Sequence, residues 1–538
     1  MFSELGIVIF HVFDIDTRTM LNRSYLNGSS QEDEVMALRS LSVFDHWAQN
    51  ARMYPNAPAL VWPEGHMTYT QLVKECQSVA AGFQDQGIKY GDRVAVMARN
   101  VPHFFPLFGA ASLIGAVLVL VNRRLSAEEI KVIIEDTTPK MMIYEDIQRD
   151  MVGPILDQCS SVRTRIALGQ SQAGEMAYAD LLQAGLAYPA LVSEHAPYII
   201  IHTAAVQGRP RGAVLSQENL LLAGLQLTHA FELTPQDASL NVLPLYHIMG
   251  LNLAFAASLG RGKNVLMTQF EPSLAAELIA DHRASILGSF PPILSQLMEA
   301  IEKESTDTAS LRHAIGLENP ETAQKWESVT GSTFWTMYGQ TETSGLITFA
   351  PLSMRTGGAG LPGPLSNMAI QDDSGNLLPP QAAGEIVLQG PLVFLGYWNQ
   401  DEVNAYTFRY GWHHTGDTGY IDDHGHLVFQ GRKAEKDLIK SGGENVFPAE
   451  VEQVILDHPQ ITEACVIGVD DPKFGEGIKA VCVRRDNQAV DDQSLIQFVG
   501  SRIARYKKPR WVEFVDQLPK TKDGNIDRNQ VKSTFGNV

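Results

Sequence analysis

Short apolar runs alternate with amphipathic stretches along most of the chain. VAVMARN (94–100) reads as a strand, and FFPLFGAASLIGAVLVLV (104–121) begins as a buried helix and runs into a strand. SAEEIKVIIED (126–136) repeats its apolar residues at helical spacing, with Ser126 as N-cap and acids in the first turn. MMIYE (141–145) is a further strand. This alternation predicts an α/β fold with largely parallel sheets. After about residue 360 the texture changes, because GEIVLQG and GYIDDHGHLVFQGR are strands split by Gly and Asp turns. They predict a small antiparallel or barrel-like subdomain. From Gly431 the pattern changes again. AEVEQVILDH (449–458) and DQSLIQFVGSRIA (492–504) read as helices, and EACVIGVDD (463–471), KAVCVRRD (479–486) and the start of RWVEFVDQLP (510–519) as strands. The expected division is an N-terminal extension at 1–35, a large α/β domain of stacked sheets at 36–430, and a small α+β domain at 431–538. The hinge is placed near GRKAEKD (431–437).

Composition narrows the function classes. A chain of 538 residues allows two to four domains of ordinary size. Hydrophobic residues make up 44% and charged residues 19%, which permits a sizeable core. The formal net charge of -19 argues against a nucleic-acid surface, which needs clustered Lys and Arg. It leaves room for an anionic small ligand held by a few local cations. Cys76, Cys159, Cys465 and Cys482 are far apart, so neither a disulfide framework nor a zinc site is expected, and a reduced cytoplasmic setting fits. LGIVIFHVF (5–13) lacks a basic flank and is too short to span a bilayer, so no transmembrane segment is expected.

Four stretches carry candidate chemistry. HTAAVQGRPRGAVLS (202–216) follows the apolar run YIII, as a phosphate loop would. Gly208 and Gly212 allow close backbone approach, and Arg209 and Arg211 supply charge that can clasp phosphate. An ordinary surface loop with solvated arginines is the competing reading. WTMYGQTETSG (335–345) places Thr341 and Glu342 in a turn, where a hydroxyl can meet a phosphoryl oxygen and a carboxylate can hold Mg²⁺. A capped helix start would look the same. GWHHTGDTGYID (411–422) sets Asp417 between glycine-bearing turns, fit to accept ribose hydroxyls or to bond its own backbone. GRKAEKDLIKSGGENVFPAEVE (431–452) offers Arg432, a bend at Ser441-Gly442-Gly443 and Pro448 at a helix start, or else a plain linker.

Taken in this order, the stretches resemble the adenylate-forming superfamily of acyl-CoA synthetases, luciferases and peptide-synthetase adenylation domains. The resemblance covers roughly residues 40–530, and SGGENVFPAEVE favours the acyl-CoA synthetase branch. It implies a carboxylate attacking the α-phosphate of ATP, an acyl-adenylate, rotation of a mobile C-terminal domain, and displacement of AMP by the thiol of coenzyme A. It implies Thr341 on phosphate, Glu342 on Mg²⁺, and Asp417 and Arg432 on the ribose. Thr203, Gly208, Arg211, Gly212, Tyr338 and Gly339 fall to the nucleotide, with Tyr338 near the adenine. Lys440, Gly442 and Gly443 fall to coenzyme A, with the two glycines beside the pantetheine tunnel. LPLYHIMGL (243–251) and GSFPPILSQLM (288–298) match stretches lining the acyl pocket, which points to His247, Met249 and Phe290. A hydrogen-bonded core histidine and plain apolar core remain the competing readings for these three.

Two departures bear on phosphate chemistry. The family loop T-S-G-T-T-G-x-P-K-G here reads Thr203-Ala204-Ala205-Val206-Gln207-Gly208-Arg209-Pro210-Arg211-Gly212, which implies weaker or rearranged ATP binding. The family signature P-K-T-x-x-G-K-I-x-R here reads PKTKDGNIDR, with Asn525 in place of the second, catalytic Lys. Asn525 cannot neutralise developing charge, and Lys522 is the candidate replacement. The hinge is also longer than the common pattern, leaving Glu435 and Asp437 both open as pivot. The reading is an AMP-forming acyl-CoA synthetase for a hydrophobic carboxylic acid, fatty or aryl. A nucleotide- and acyl-CoA-binding homologue with little adenylation comes second. Loading of a carrier protein comes third, because no carrier domain follows. A homodimer stays open.

Overall fold

The computed structural model describes residues 42–185, 187–203, 210–354, 358–433, 438–485, 490–521 and 525–537; the expected extension at 1–35 lies outside them. The local signals act as read. The run 104–121 divides at Gly115 into the helix Phe104–Ile114 and the strand Val117–Leu120. Ser126 caps the helix Ala127–Thr137, exchanging hydrogen bonds with Glu129 as a capping box. All four cysteines are buried, and none of them forms a disulfide.

Among the described residues, two large sheets dominate. One has eight strands, with Pro197–Thr203, Val117–Leu120, Arg93–Met97, Met141–Glu145, Thr164–Leu168 and Met176–Ala177 running parallel in that order. Arg211–Ser216 returns antiparallel on Pro197–Thr203, and Gly396–Tyr397 pairs with it in turn. The other has nine strands. Its parallel centre runs Thr333–Gln340, His313–Gly316, Ile286–Ser289, Ala238–Asn241, Lys263–Leu266 and Pro58–Trp62. One core cluster joins the two sheets: Val94, Leu118 and Ile199 from one, Leu60 and Leu266 from the other, and Trp47, Phe83, Phe108 and Phe255 from helices packed with both. The helix Phe104–Ile114 is buried on every side, which is why its sequence is apolar without a period.

The region read as antiparallel or barrel-like is an open antiparallel sheet. Asn367–Gln371, Gly384–Gln389, His413–Ile421 and Leu427–Arg432 follow one another, and no ladder joins the two outer strands among the described residues. A final sheet holds Glu444–Val446, Ile439–Ser441, Gly475–Arg484 and Ile461–Asp471, with Trp511–Val515 parallel to Gly475–Arg484. Its long hairpin obeys the period of two. Ala464 and Val466 meet the helices Pro448–Leu456 and Asp492–Gly500, while Cys465 and Ile467 meet Val531 of the helix Arg528–Phe535.

Two charge clusters fasten this last sheet to the larger body. The Lys507 ammonium lies 2.5 Å from Glu129 and 2.6 Å from Glu450, with 3% of its side chain exposed. Glu129 also accepts the Ala504 N–H. Burial would lower Lys507, but the two carboxylates win and hold it above the usual lysine value. The second cluster gathers on Glu444 and belongs to the site below. Replacing Lys507 by Met removes the cation that these two carboxylates share, so we expect a loss of about 3–5 kcal/mol of unfolding free energy, read as a lower urea midpoint. Adding Glu129→Gln and Glu450→Gln to the same chain should recover most of it.

Candidate active site

The carboxyl ends of the parallel strands converge on a cavity of about 1240 Å³. This is the edge at which open α/β sheets hold ligands. Thr203 ends one strand, and Tyr246 and His247 follow another. Phe290 follows Ile286–Ser289, Glu318 follows His313–Gly316, and Tyr338 to Gln340 complete Thr333–Gln340.

The polar end is built from four separate stretches. Thr341 and Glu342 form a short 3₁₀ turn directly after Gln340. Oε1 of Glu342 accepts the Tyr397 hydroxyl at 2.8 Å and the Thr203 hydroxyl at 3.3 Å. The Arg211 guanidinium lies over the Tyr397 ring, 5.6 Å from its centroid. Asp417 and Arg432 are partners across an antiparallel ladder, which is why a hairpin sequence holds both. Arg432 Nε is 3.7 Å from Asp417 Oδ1. The other oxygen, Oδ2, accepts the Tyr338 hydroxyl at 2.7 Å and the Gln340 amide. Burial and then the Asp417 charge push the Tyr338 phenol well above its usual value, so it stays a donor. Asp417 is thus a buried acceptor with both oxygens oriented.

The apolar end lies between His247, Met249 and Phe290 on one side and the final sheet on the other. Gly442 and Gly443 have φ of 59° and 84°. A Cβ on Gly443 would lie 3.1 Å from the Phe290 ring, and one on Gly442 3.0 Å from Phe474. The bend therefore sits against the wall of the pocket in a shape that favours glycine. Directly after it, Glu444 gathers Arg124 at 3.1 Å, Asn122 at 3.1 Å and His247 Nε2 at 3.2 Å. Burial alone would raise Glu444, yet His247 and Arg124 hold it down to about 2. Lys440 lines the cavity in the field of Arg432, Asp417 and Glu476. Burial and the Arg432 charge lower it to about 8.

Some expected residues fall elsewhere. Gly212 is not part of the wall: it pairs with His202 in the ladder, and its carbonyl accepts the Trp398 N–H at 2.8 Å. Asn525 does not reach the cleft. Its carbonyl accepts the Thr521 N–H at 2.7 Å, beside the bridge that pairs Lys520 with Ile526. Lys520 is tied to Glu463 at 2.6 Å and Arg528 to Glu452 at 2.5 Å, which keeps these two residues against the final sheet. Gly208, Lys522 and the candidate pivots Glu435 and Asp437 lie outside the described residues.

Sequence reading missed Tyr397, Gln340, Glu444 and Glu318, all of which line the cavity. Gln340 and Glu444 sit inside stretches already singled out, so a polar residue beside a key acid was the available signal. Among the described residues no helix is long and apolar enough to cross a membrane, and no three acids, histidines or cysteines cluster as a metal site.

Known proteins are similar to this chain in sequence and fold. The family model for AMP-binding enzymes matches residues 47–398, and that for their C-terminal domain matches residues 450–525. The chain is 30% identical to an indoleacetate–CoA ligase of Aromatoleum aromaticum, over 90% of this chain and 96% of that protein. It is 30% identical to the long-chain-fatty-acid–CoA ligase FadD13 of Mycobacterium tuberculosis, over 90% and 97%. Among solved structures, the amide bond synthetase McbA of Marinactinospora thermotolerans superposes with a TM-score of 0.82 at 25% identity, covering 91% of this chain and 99% of that one. With both family models matched in order and the cavity built where they meet, the chain belongs to the AMP-binding, adenylate-forming enzymes.

Proposed function

We propose that the chain is an AMP-forming acyl-CoA synthetase that activates a hydrophobic carboxylic acid, fatty or aryl, with ATP and passes the acyl group to coenzyme A. One observation carries this reading: a single cavity joins the Thr203, Glu342 and Asp417–Arg432 groups to the apolar wall of Met249 and Phe290. The acid's carboxylate attacks the α-phosphorus and pyrophosphate leaves. The coenzyme A thiol then attacks the acyl carbon and AMP leaves. Asp417 accepts the ribose hydroxyls, with Arg432 holding its charge in place. Thr341 and Thr203 donate to phosphate oxygens, and Arg211 offsets their charge. Tyr397 orients Glu342. A lone carboxylate suits Mg²⁺, which is usually held by one or two carboxylates together with substrate phosphates and waters. Glu342 would hold it, and the ion supplies charge neutralisation on the phosphates.

The described pose supports the second half-reaction. The glycine bend lies on the acyl wall, and Lys520 and Asn525 lie away from the cleft. We infer that adenylation uses a second pose, in which the residues after the 431–437 stretch turn and bring Asn525 or Lys522 to the phosphates. The Glu444 and Lys507 clusters must open for this.

Pyrophosphate release with ATP, Mg²⁺ and a panel of fatty and aryl acids tests the function. Turnover of one class is expected, and Asp417→Ala should raise the KM for ATP about 10- to 100-fold. Silence across the panel, with acyl-adenylate still converted to thioester, would favour the homologue without adenylation. If Asn525 occupies the place of the missing cation, Asn525→Lys should raise the adenylation rate on the order of 10²-fold with thioester formation unchanged.

Lys440 gives a pH signature. Its value of about 8 means that the cation is complete below pH 8 and lost as pH rises through it. Because the fold disfavours the charged form, Lys440 opposes stability below pH 8, and that cost fades between about 8 and 10.5. Activity runs the opposite way: kcat/KM for coenzyme A should fall above pH 8, and Lys440→Arg should flatten that limb.

A further inference from the structure

Glu318 has no task in the reaction just described. It follows the strand His313–Gly316 and lines the cavity. Its Oε1 accepts the Ser289 hydroxyl at 3.0 Å. Ser289 closes the neighbouring parallel strand, directly before Phe290, and faces Gly316 in the ladder. The carboxyl therefore leans towards Phe290 and away from Thr333–Gln340, the strand on the other side that leads to Tyr338 and the ribose carboxylate. Phe270, Met267 and Met337 also line the cavity. A carboxyl group with one hydroxyl partner in such a wall keeps unused acceptor capacity, and burying that capacity unpaired is unfavourable. Burial pushes it up to about 7, so even near neutral pH it keeps a carbonyl oxygen able to accept.

We propose that Glu318 is a specificity-determining residue, and that the acid selected here carries a hydrogen-bond donor, a ring hydroxyl or an N–H, on the part that enters the pocket. The proposal rests on the adenylate-forming reading and narrows its substrate class. A site built around an acceptor rejects the analogue that leaves the acceptor unpaired more strongly than an apolar wall distinguishes sizes.

The test is calorimetric binding of non-hydrolysable acyl-sulfamoyl adenosines to the full chain, so that adenylation rate does not enter. The ligands are the cinnamoyl compound and its 3-hydroxy and 4-hydroxy forms, and the proteins are wild type, Glu318→Gln and Glu318→Ala. One hydroxylated form should bind at least about 10-fold tighter than the parent. That ratio should fall to near one in Glu318→Ala and be partly kept in Glu318→Gln, whose amide oxygen still accepts. Equal binding of all three compounds by wild type, or a preference unchanged in Glu318→Ala, overturns the proposal alone. If no adenosine compound binds, the adenylate-forming reading falls and takes the proposal with it.

Discussion

The ammonium of Lys507, shared between Glu129 and Glu450, sets the relation between the two halves of the active site. It comes from the last sheet's side of the chain, and Glu129 comes from the capped first turn of a helix in the body. A buried charge triad of this kind adds little net stability over an apolar contact, but it tolerates few geometries. With it in place, Glu444 meets Arg124 and His247, and the glycine bend lies against Phe290. The same geometry leaves Asn525 away from the cavity, beside the Lys520–Ile526 bridge and the Lys520–Glu463 pair.

Charge is used locally and against the overall balance. The chain carries a formal net charge of -19, yet Arg123, Arg124, Arg211, Arg505, Lys508 and Arg510 all line the one cavity. An anionic ligand is repelled by the distant field and attracted by the cations of the cavity wall, and salt screens the first more than the second. Inside, each key acid is already held by a donor: Asp417 by Tyr338, Glu342 by Tyr397, Glu444 by Arg124. Such preorganisation means that binding exchanges one set of hydrogen bonds for another and leaves the carboxylates where they are.

Much of this was legible in the chain because the signals are local. Ser126 and its helix, the break at Gly115 and the two-residue period of 463–471 each follow from residues a few places apart. Asp417 and Arg432 were legible as one unit because a hairpin brings them together. The open edge of the antiparallel sheet was not, since closure depends on whether strands 367–371 and 427–432 meet. Glu318 was hidden for a different reason. In GLENP it precedes Asn319 and Pro320, the N-cap and first residue of a helix, so it reads as part of a helix start. The place of Asn525 was illegible because it is fixed by pairs among positions 129, 444, 450 and 507, which no contiguous stretch contains.

The apolar end of the cavity has a floor and a roof of different origin. Its floor is made by the strand ends around His247, Phe290 and Glu318, and its roof by Gly442, Gly443 and Phe474. The roof presents mostly backbone and one ring, so it distinguishes little beyond the space it leaves. A chimera that exchanged residues after 431 with those of a relative would therefore keep this chain's choice of acid. It would inherit from the donor only the ease with which the two halves part and the way the thiol is received.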